Sequence, residues 1–249
     1  MEPEFAGRRV LVTGAGSGIG LATARLLVEC GAAVLGIGRS DASLAAIVAV
    51  GAAPFRADVT RPDDRLRLVA AAEGIDGLVL AHGETTGQRI GDVTEADWDR
   101  IHDVNLRSVF FLLQALASRL PDRGAIVTVS SIAAKTGAIP EVAVYAAAKA
   151  GVLSLTRSFA TAHAERGMRV NCVLPGSIDT PMLRRFLELN APLRGMSPEA
   201  LDAERLAATP MRRAGTPDEI AEVIVFLLSP RSSYMTGQAL NVTGGSVTW

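Results

Sequence analysis

A run of apolar residues that breaks into glycines constrains this chain more than any other feature. It reads Val10-Leu11-Val12-Thr13-Gly14-Ala15-Gly16-Ser17-Gly18-Ile19-Gly20 and passes into the helical pattern Leu21 to Cys30. The apolar run predicts a buried strand, and the glycines mark the turn between it and a helix. Glycine there permits a tight turn and close backbone approach, while the first turn of the helix offers free N–H groups to an anion such as a pyrophosphate. The spacing is T-G-x-x-x-G-x-G, with Gly14, Gly18 and Gly20 in the glycine places and Ser17 and Ile19 completing the loop. The G-x-G-x-x-G fingerprint does not fit, because its third glycine would fall on Ile19.

The same alternation continues to the end of the chain. Strands are predicted at 8–13, 33–38, 53–57, 76–81, 124–129, 168–174 and 238–242, with helical patterns between them. This implies an α/β fold with a doubly wound parallel sheet covered on both faces. Thr94 with Asp97 reads as a capping box, and Thr216-Pro217-Asp218-Glu219 as a second with proline at the first helical position. At 249 residues and 49% hydrophobic content the chain can bury one large core. No repeat, low-complexity segment or linker interrupts it, so residues 1–249 are expected to form a single domain. Residues 180–210 depart from the alternation: two helical pieces, the second opening at Ser197-Pro198, flank a break at 191–198. Following the sixth strand, this segment is expected to lie over the carboxyl edge of the sheet, where such folds bind ligands.

Tyr145-Ala146-Ala147-Ala148-Lys149 carries the chemistry. In a helix this spacing sets both side chains on one face, one turn apart. A phenol titrates near ~10, and an adjacent ammonium group favours phenolate and draws it toward the working range. The pair can then give a proton to a carbonyl oxygen or take one from an alcohol.

With these two motifs, and with Ser130-Ser131 ending a strand, Asn105 in Val104-Asn105-Leu106, Pro175-Gly176-Ser177-Ile178-Asp179-Thr180, and Tyr234 to Gln238 leading to Asn241-Val242-Thr243-Gly244-Gly245, nearly the whole chain resembles the short-chain dehydrogenase/reductase family. The resemblance implies a Rossmann-like domain, a nicotinamide dinucleotide cofactor and interconversion of a ketone and a secondary alcohol. It implies Tyr145 as general acid and base, Lys149 bonding the nicotinamide ribose, and Ser131 donating to the substrate oxygen. Ser131 lies one residue further from Tyr145 than is common in the family, with Ser130 as the fallback. Asn105 would hold a water linking Lys149 to solvent. Pro175, Gly176 and Thr180 would face the nicotinamide, Thr180 gripping its carboxamide, and residues 180–210 would form the substrate lid. Asp58 and Val59 match the family's adenine contact. After the fourth strand the family's Asn-Asn-Ala-Gly is replaced by Leu80-Ala81-His82-Gly83, which keeps Gly83 near the adenosine ribose and is expected to alter packing more than catalysis. His82 is read as a polar residue satisfied by a local backbone partner.

Cofactor choice rests on Gly36-Ile37-Gly38-Arg39-Ser40. An NAD enzyme would place a carboxylate near position 38 for the ribose 2′-hydroxyl, whereas Arg39 and Ser40 suit a 2′-phosphate. NADP(H) is favoured. Ser17, where many NADP(H)-using relatives carry a basic residue, keeps NAD(H) open, with Arg39 stacking on adenine. No metal is required, because the polarisation comes from hydrogen bonds.

A net charge of −1 gives no reason to expect nucleic acid or an anionic membrane as partner, and no apolar stretch reaches the length of a span. Met1-Glu2-Pro3-Glu4 lacks the layout of a signal peptide, and two cysteines, Cys30 and Cys172, make no disulfide framework; a cytoplasmic location is expected. The resemblance implies a homotetramer built partly on the helices at 105–117 and 145–162; Trp249, a large aromatic at the extreme C-terminus, reads either as packing on another subunit or as a disordered tail. Two alternatives remain: a 3-oxoacyl-thioester reductase, for which Arg212 and Arg213 near the lid are a thin basic surface, and a dinucleotide-binding scaffold without chemistry.

Overall fold

The glycine-broken start of the chain folds as its pattern predicts. In the computed structural model, which describes residues 4–249, β1 (Arg9–Thr13) runs into the turn and α1 (Gly18–Glu29) leaves it. Met1 to Pro3, most of the polar start noted above, lie outside the described residues. β2 (Ala33–Gly38), β3 (Ala53–Arg56), β4 (Gly77–Leu80), β5 (Ala125–Val129), β6 (Arg169–Pro175) and β7 (Ala239–Val242) complete one sheet in the order β3-β2-β1-β4-β5-β6-β7. Every neighbouring pair is parallel. Each strand lies within one residue of its predicted range, because strands buried on both faces read as nearly continuous apolar runs. β4 and β5 are buried at every position, whereas the edge strand β3 exposes Ala53, Pro54 and Arg56.

Successive residues of a strand point to opposite faces, and this builds two cores. Leu11, Leu78 and Leu80 pack with Leu68 of α3 (Pro62–Ala71), Leu112 of α5 (Ser108–Leu116) and Val152 of α6 (Ala143–His163). Val10, Val12 and Val79 pack on the other side with Leu27 of α1, Ile47 of α2 (Asp41–Ala49) and Ile224 of α9 (Pro217–Leu228).

β1 leads to β2 on one side and lies against β4 on the other, so a crevice opens at their carboxyl ends. The chain is tightest here. Gly14 has φ +67°, and a Cβ on it would lie 2.9 Å from His82 Cα. A Cβ on Gly20 would lie 2.2 Å from the Gly14 carbonyl oxygen. Only glycine serves at either position.

Both capping boxes form, at Thr94–Asp97 on α4 (Glu95–His102) and Thr216–Glu219 on α9. The pattern after Thr94 reads as one long helix. The structure instead inserts a wide π turn, Asp103–Arg107, between α4 and α5, and Asn105 sits in it. One extra residue in a turn leaves the apolar spacing on either side nearly unchanged, which hides it from the sequence. Across the carboxyl edge lie α7 (Pro181–Asn190) and α8 (Pro198–Ala208), capped by Thr180 and Ser197. They share a small core of Leu187, Ala191 and Leu201.

At the opposite edge, Arg169 opens β6 almost fully buried. Its guanidinium donates to the carbonyls of Leu227 (2.6 Å), Leu228 (3.1 Å) and Ser229 (3.0 Å), which end α9. These are the acceptors a helix leaves without intrahelical partners. Replacing the fork by an apolar side chain orphans them, so Arg169→Leu is expected to cost about 2–4 kcal/mol, with Arg169→Lys recovering only part. Urea unfolding of the two variants beside the parent checks this.

Candidate active site

Two adjoining hollows, of about 390 and 460 Å³, lie along the carboxyl edge and share Ile19, His82, Gly83, Thr180 and Met182. The first lies over the glycine turn. α4, α7, α8 and α9 each open on a Thr or Ser whose side chain accepts a first-turn amide, but Ser17 makes no such cap on α1. Those amides face the hollow with no side chain to accept from them, a fit for a pyrophosphate. A Cβ on Gly16 would lie 2.4 Å from Ser43 Cβ, so α2 closes tightly on the turn. Arg39, Ser40, Asp58 and Val59 line the far end. Arg39 is exposed and, among the described residues, has no ion-pair partner. Ser40 caps α2 by accepting from the Ser43 N–H, and Asp58 is held by the Thr60 N–H and hydroxyl (3.0 and 2.7 Å).

The second hollow brings together Ser131, Tyr145, Lys149, Pro175, Gly176 and Thr180. α6 carries Tyr145 and Lys149, both buried. The two serines have different surroundings: Ser131 lines the hollow beside Tyr145 and draws its phenol down, while Ser130 donates to the Lys149 carbonyl (2.7 Å). Lys149 Nζ donates to the Val129 carbonyl (2.9 Å) and lies 5.8 Å from the centre of the Tyr145 ring. The expected lowering of the phenol by this lysine is not what the geometry gives. Burial pushes Tyr145 up, opposed only by Ser131, and burial pushes Lys149 down to about 8. Removal from water outweighs a cation anchored to a backbone carbonyl instead of the phenol oxygen.

Asn105 is fully buried. Its Oδ1 accepts from Glu84 N–H (3.1 Å) and its Nδ2 donates to the carbonyls of Glu84 (3.0 Å) and Ile101 (2.9 Å). It therefore fixes the chain just past Gly83, where a Cβ would lie 2.8 Å from Asn105 Oδ1 and 3.3 Å from Lys149 Nζ.

His82 finds side-chain partners, not the local backbone partner expected of it. Its Nδ1 is 2.7 Å from Thr13 Oγ1 and its Nε2 2.8 Å from Ser108 Oγ. Ser108 donates to the Val104 carbonyl (2.7 Å), so it accepts from Nε2–H; burial keeps the ring neutral, so Nδ1 accepts from Thr13, whose contact with the Val79 carbonyl is the longer one at 3.3 Å. One neutral ring thus joins β1 to the start of α5, the tie that the missing amide pair would supply.

The rest of the cavity is mostly apolar, with Ile139, Val142, Leu183 and Phe186 in its walls. Of the lid charges, Arg184 pairs with Asp179 (3.0 Å), Arg185 with Glu188 (3.5 Å), and Arg194 with Glu204 (3.1 Å). The residue missed was Arg205, which lines the cavity from α8. Leu201, Arg205 and Ala208 at helical spacing are the signal that could have found it.

A buried Tyr/Lys pair on one helix, beside an uncapped glycine turn, fits an oxidoreductase acting on a CH–OH or carbonyl group with a nicotinamide dinucleotide. Comparison with known proteins agrees. The family model described as enoyl-(acyl carrier protein) reductase matches residues 14–247. The chain is 38% identical, over 95% of its own length and 95% of the relative, to 2-(S)-hydroxypropyl-CoM dehydrogenase 3 of Xanthobacter autotrophicus. It is 36% identical to the 3-oxoacyl-(acyl-carrier-protein) reductase of Thermotoga maritima, covering 97% and 98% of the two chains. A blue fluorescent protein from a metagenomic library, solved in complex with NADPH, superposes with TM-score 0.88 at 29% identity, covering 98% of this chain and all of that one. The chain belongs to the short-chain dehydrogenase/reductase family. No helix among the described residues is long and apolar enough to cross a membrane.

Burial, with Lys149 next, pushes His82 down to about 3. Unfolded, an imidazole titrates near ~6.5, so between these values the unfolded chain binds the extra proton and stability is lost as pH falls. The melting temperature is expected to drop from pH ~6.5 toward pH ~4 more steeply in the parent than in His82→Gln, as thermal melts across that range would report.

Proposed function

We propose that this protein reduces a ketone to a secondary alcohol, and runs the reverse, with NADP(H) as cofactor and Tyr145 as the group that moves the proton. The observation carrying this reading is Tyr145 beside Ser131 and Lys149 in the wall of a mostly apolar cavity that adjoins the uncapped end of α1. The dinucleotide, when bound, supplies or accepts the hydride. Ser131 donates to the carbonyl oxygen and stabilises charge developing there. Tyr145, raised by burial, is protonated at neutral pH and gives its proton to the same oxygen. Lys149, anchored on Val129, bonds the ribose and so holds the nicotinamide beside Tyr145. Asn105 positions Gly83 and Glu84 and holds a water between Lys149 and solvent. Pro175, Gly176 and Thr180 hold the nicotinamide end, and Asp58 and Val59 the adenine. Residues 180–210 close over the substrate.

Arg39, unpaired beside Gly38, supports a 2′-phosphate and hence NADP(H) over NAD(H). Exposed Phe110 and Phe111 on α5, and a Trp249 side chain 75% exposed while its carbonyl accepts from Lys135 and Asn241, support assembly into a homotetramer. The name of the Thermotoga relative favours a second reading, a 3-oxoacyl-thioester reductase. Against it, the Arg213 fork is already engaged by Glu219.

Stopped-flow and steady-state assays at 340 nm test this. Tyr145→Phe is expected to lower NADPH-dependent ketone reduction by about 10²–10⁴-fold while NADPH still binds. Reduction falls as pH rises through the raised phenol, and oxidation rises over the same window; a profile indifferent to pH would remove Tyr145 from the role. Arg39→Leu is expected to weaken NADPH by roughly tenfold or more and NADH little, as titration of the two cofactors would measure. Acetoacetyl-CoA turned over well above any small ketone would favour the thioester reading.

A further inference from the structure

The substrate cavity contains a cation that hydride transfer does not use. On α8, Leu201 is buried in the lid core, and Arg205, one turn on, places its guanidinium in the cavity wall. The group is held on two sides: Nη2 donates to Ser177 Oγ (2.7 Å), and Cζ lies 4.3 Å from the centre of the Phe186 ring. No carboxylate of the described residues lies within 4.0 Å of it. Glu204 in the same wall is taken by Arg194 at 3.1 Å. Asp202, three residues back, acts on Arg205 only at longer range and keeps one carboxylate oxygen buried without a hydrogen-bond partner.

A half-buried guanidinium with N–H donors facing an apolar cavity is costly unless something completes it. Stacking on Phe186 and the Ser177 bond hold its plane, and a fixed fork matches a planar oxyanion two bonds at a time. Ser177 stands one residue after Gly176, in the loop proposed to face the nicotinamide, so the anchor belongs to the same chamber as Tyr145.

We infer that the substrate is a ketone or secondary alcohol carrying a compact oxyanion, a carboxylate, sulfonate or phosphate, which Arg205 and Ser177 hold while the carbonyl end meets Tyr145. This rests on the ketone–alcohol reading above and adds the part of the substrate that does not react. Arg205 is thereby a specificity-determining residue.

The test pairs each anion with a neutral counterpart under NADPH: acetoacetate and levulinate with their methyl esters, acetonylsulfonate with its sulfonamide, and dihydroxyacetone phosphate with dihydroxyacetone. At least one anion is expected to exceed its counterpart in kcat/KM by roughly tenfold or more, chiefly through KM, and which one identifies the oxyanion. Arg205→Leu should erase that preference, and Arg205→Lys, which keeps the charge but not the fork, should keep part of it. Ser177→Ala should weaken it without replacing the arginine, and so serves if Arg205→Leu does not fold. Equal efficiency for every anion and its counterpart overturns the inference while leaving ketone reduction intact; Arg205 then only balances Asp202. If no ketone of either kind turns over, the ketone reading fails, and melting of the NADP⁺-loaded protein decides Arg205 separately. Anions that raise the melting temperature of the parent but not of Arg205→Leu sustain the anion site, and anions without effect on either overturn it.

Discussion

Gly14 carries the backbone past His82 through a gap that no side chain could share, and the working end of the molecule is organised around that passage. It lies where β1 has β2 on one side and β4 on the other, so the turns leaving β1 and β4 meet over the same crevice. Gly20 repeats the constraint one step on, seating the first turn of α1 against the Gly14 carbonyl. A methyl group at either place would move α1 off the sheet and with it the amides that face the cleft. Close approach at the switch point is thus what turns an ordinary parallel sheet into a dinucleotide cradle.

Around that passage, buried polar groups hold the chain without ion pairs. His82 bridges Thr13 and Ser108, Asn105 grips Glu84, and Lys149 rests on the Val129 carbonyl. Each satisfied bond fixes one segment relative to the next, which low-dielectric surroundings make costly to break. The same surroundings raise the phenol, which keeps its proton more firmly, and lower the ammonium, which gives its proton up more readily.

The strands were legible because two-sided burial leaves apolar runs, and both capping boxes because a hydroxyl and a carboxylate three residues apart have few other uses. The glycine turn at Gly14 and the placing of Tyr145 and Lys149 on one helix were legible through spacing, whereas Ser131 was picked out only by the family resemblance. The π turn around Asn105 was not, since a single added residue barely disturbs the apolar period. Nor were the partners of His82, since Thr13 and Ser108 are remote in sequence and brought together only by β1 packing beside β4. The electrostatics at Tyr145 misled for a related reason: spacing says that Lys149 is near, but not that its ammonium is anchored on Val129. Arg205 was not legible because Asp202 and Glu204 beside it make it look like one charge of a solvated face, and only the fold turns its guanidinium to the cavity.

The uncapped start of α1 has a thermodynamic consequence for the whole chain. α2, α4, α7, α8 and α9 bring their own first-turn acceptors, whereas α1, which opens on the cleft, leaves that position to a bound nucleotide. A nicotinamide dinucleotide seated there contributes the missing cap only to the folded form, so its binding energy adds to folding energy by mass action. Resistance to unfolding therefore rises with the free concentration of the cofactor, so the site that serves the chemistry also braces the fold.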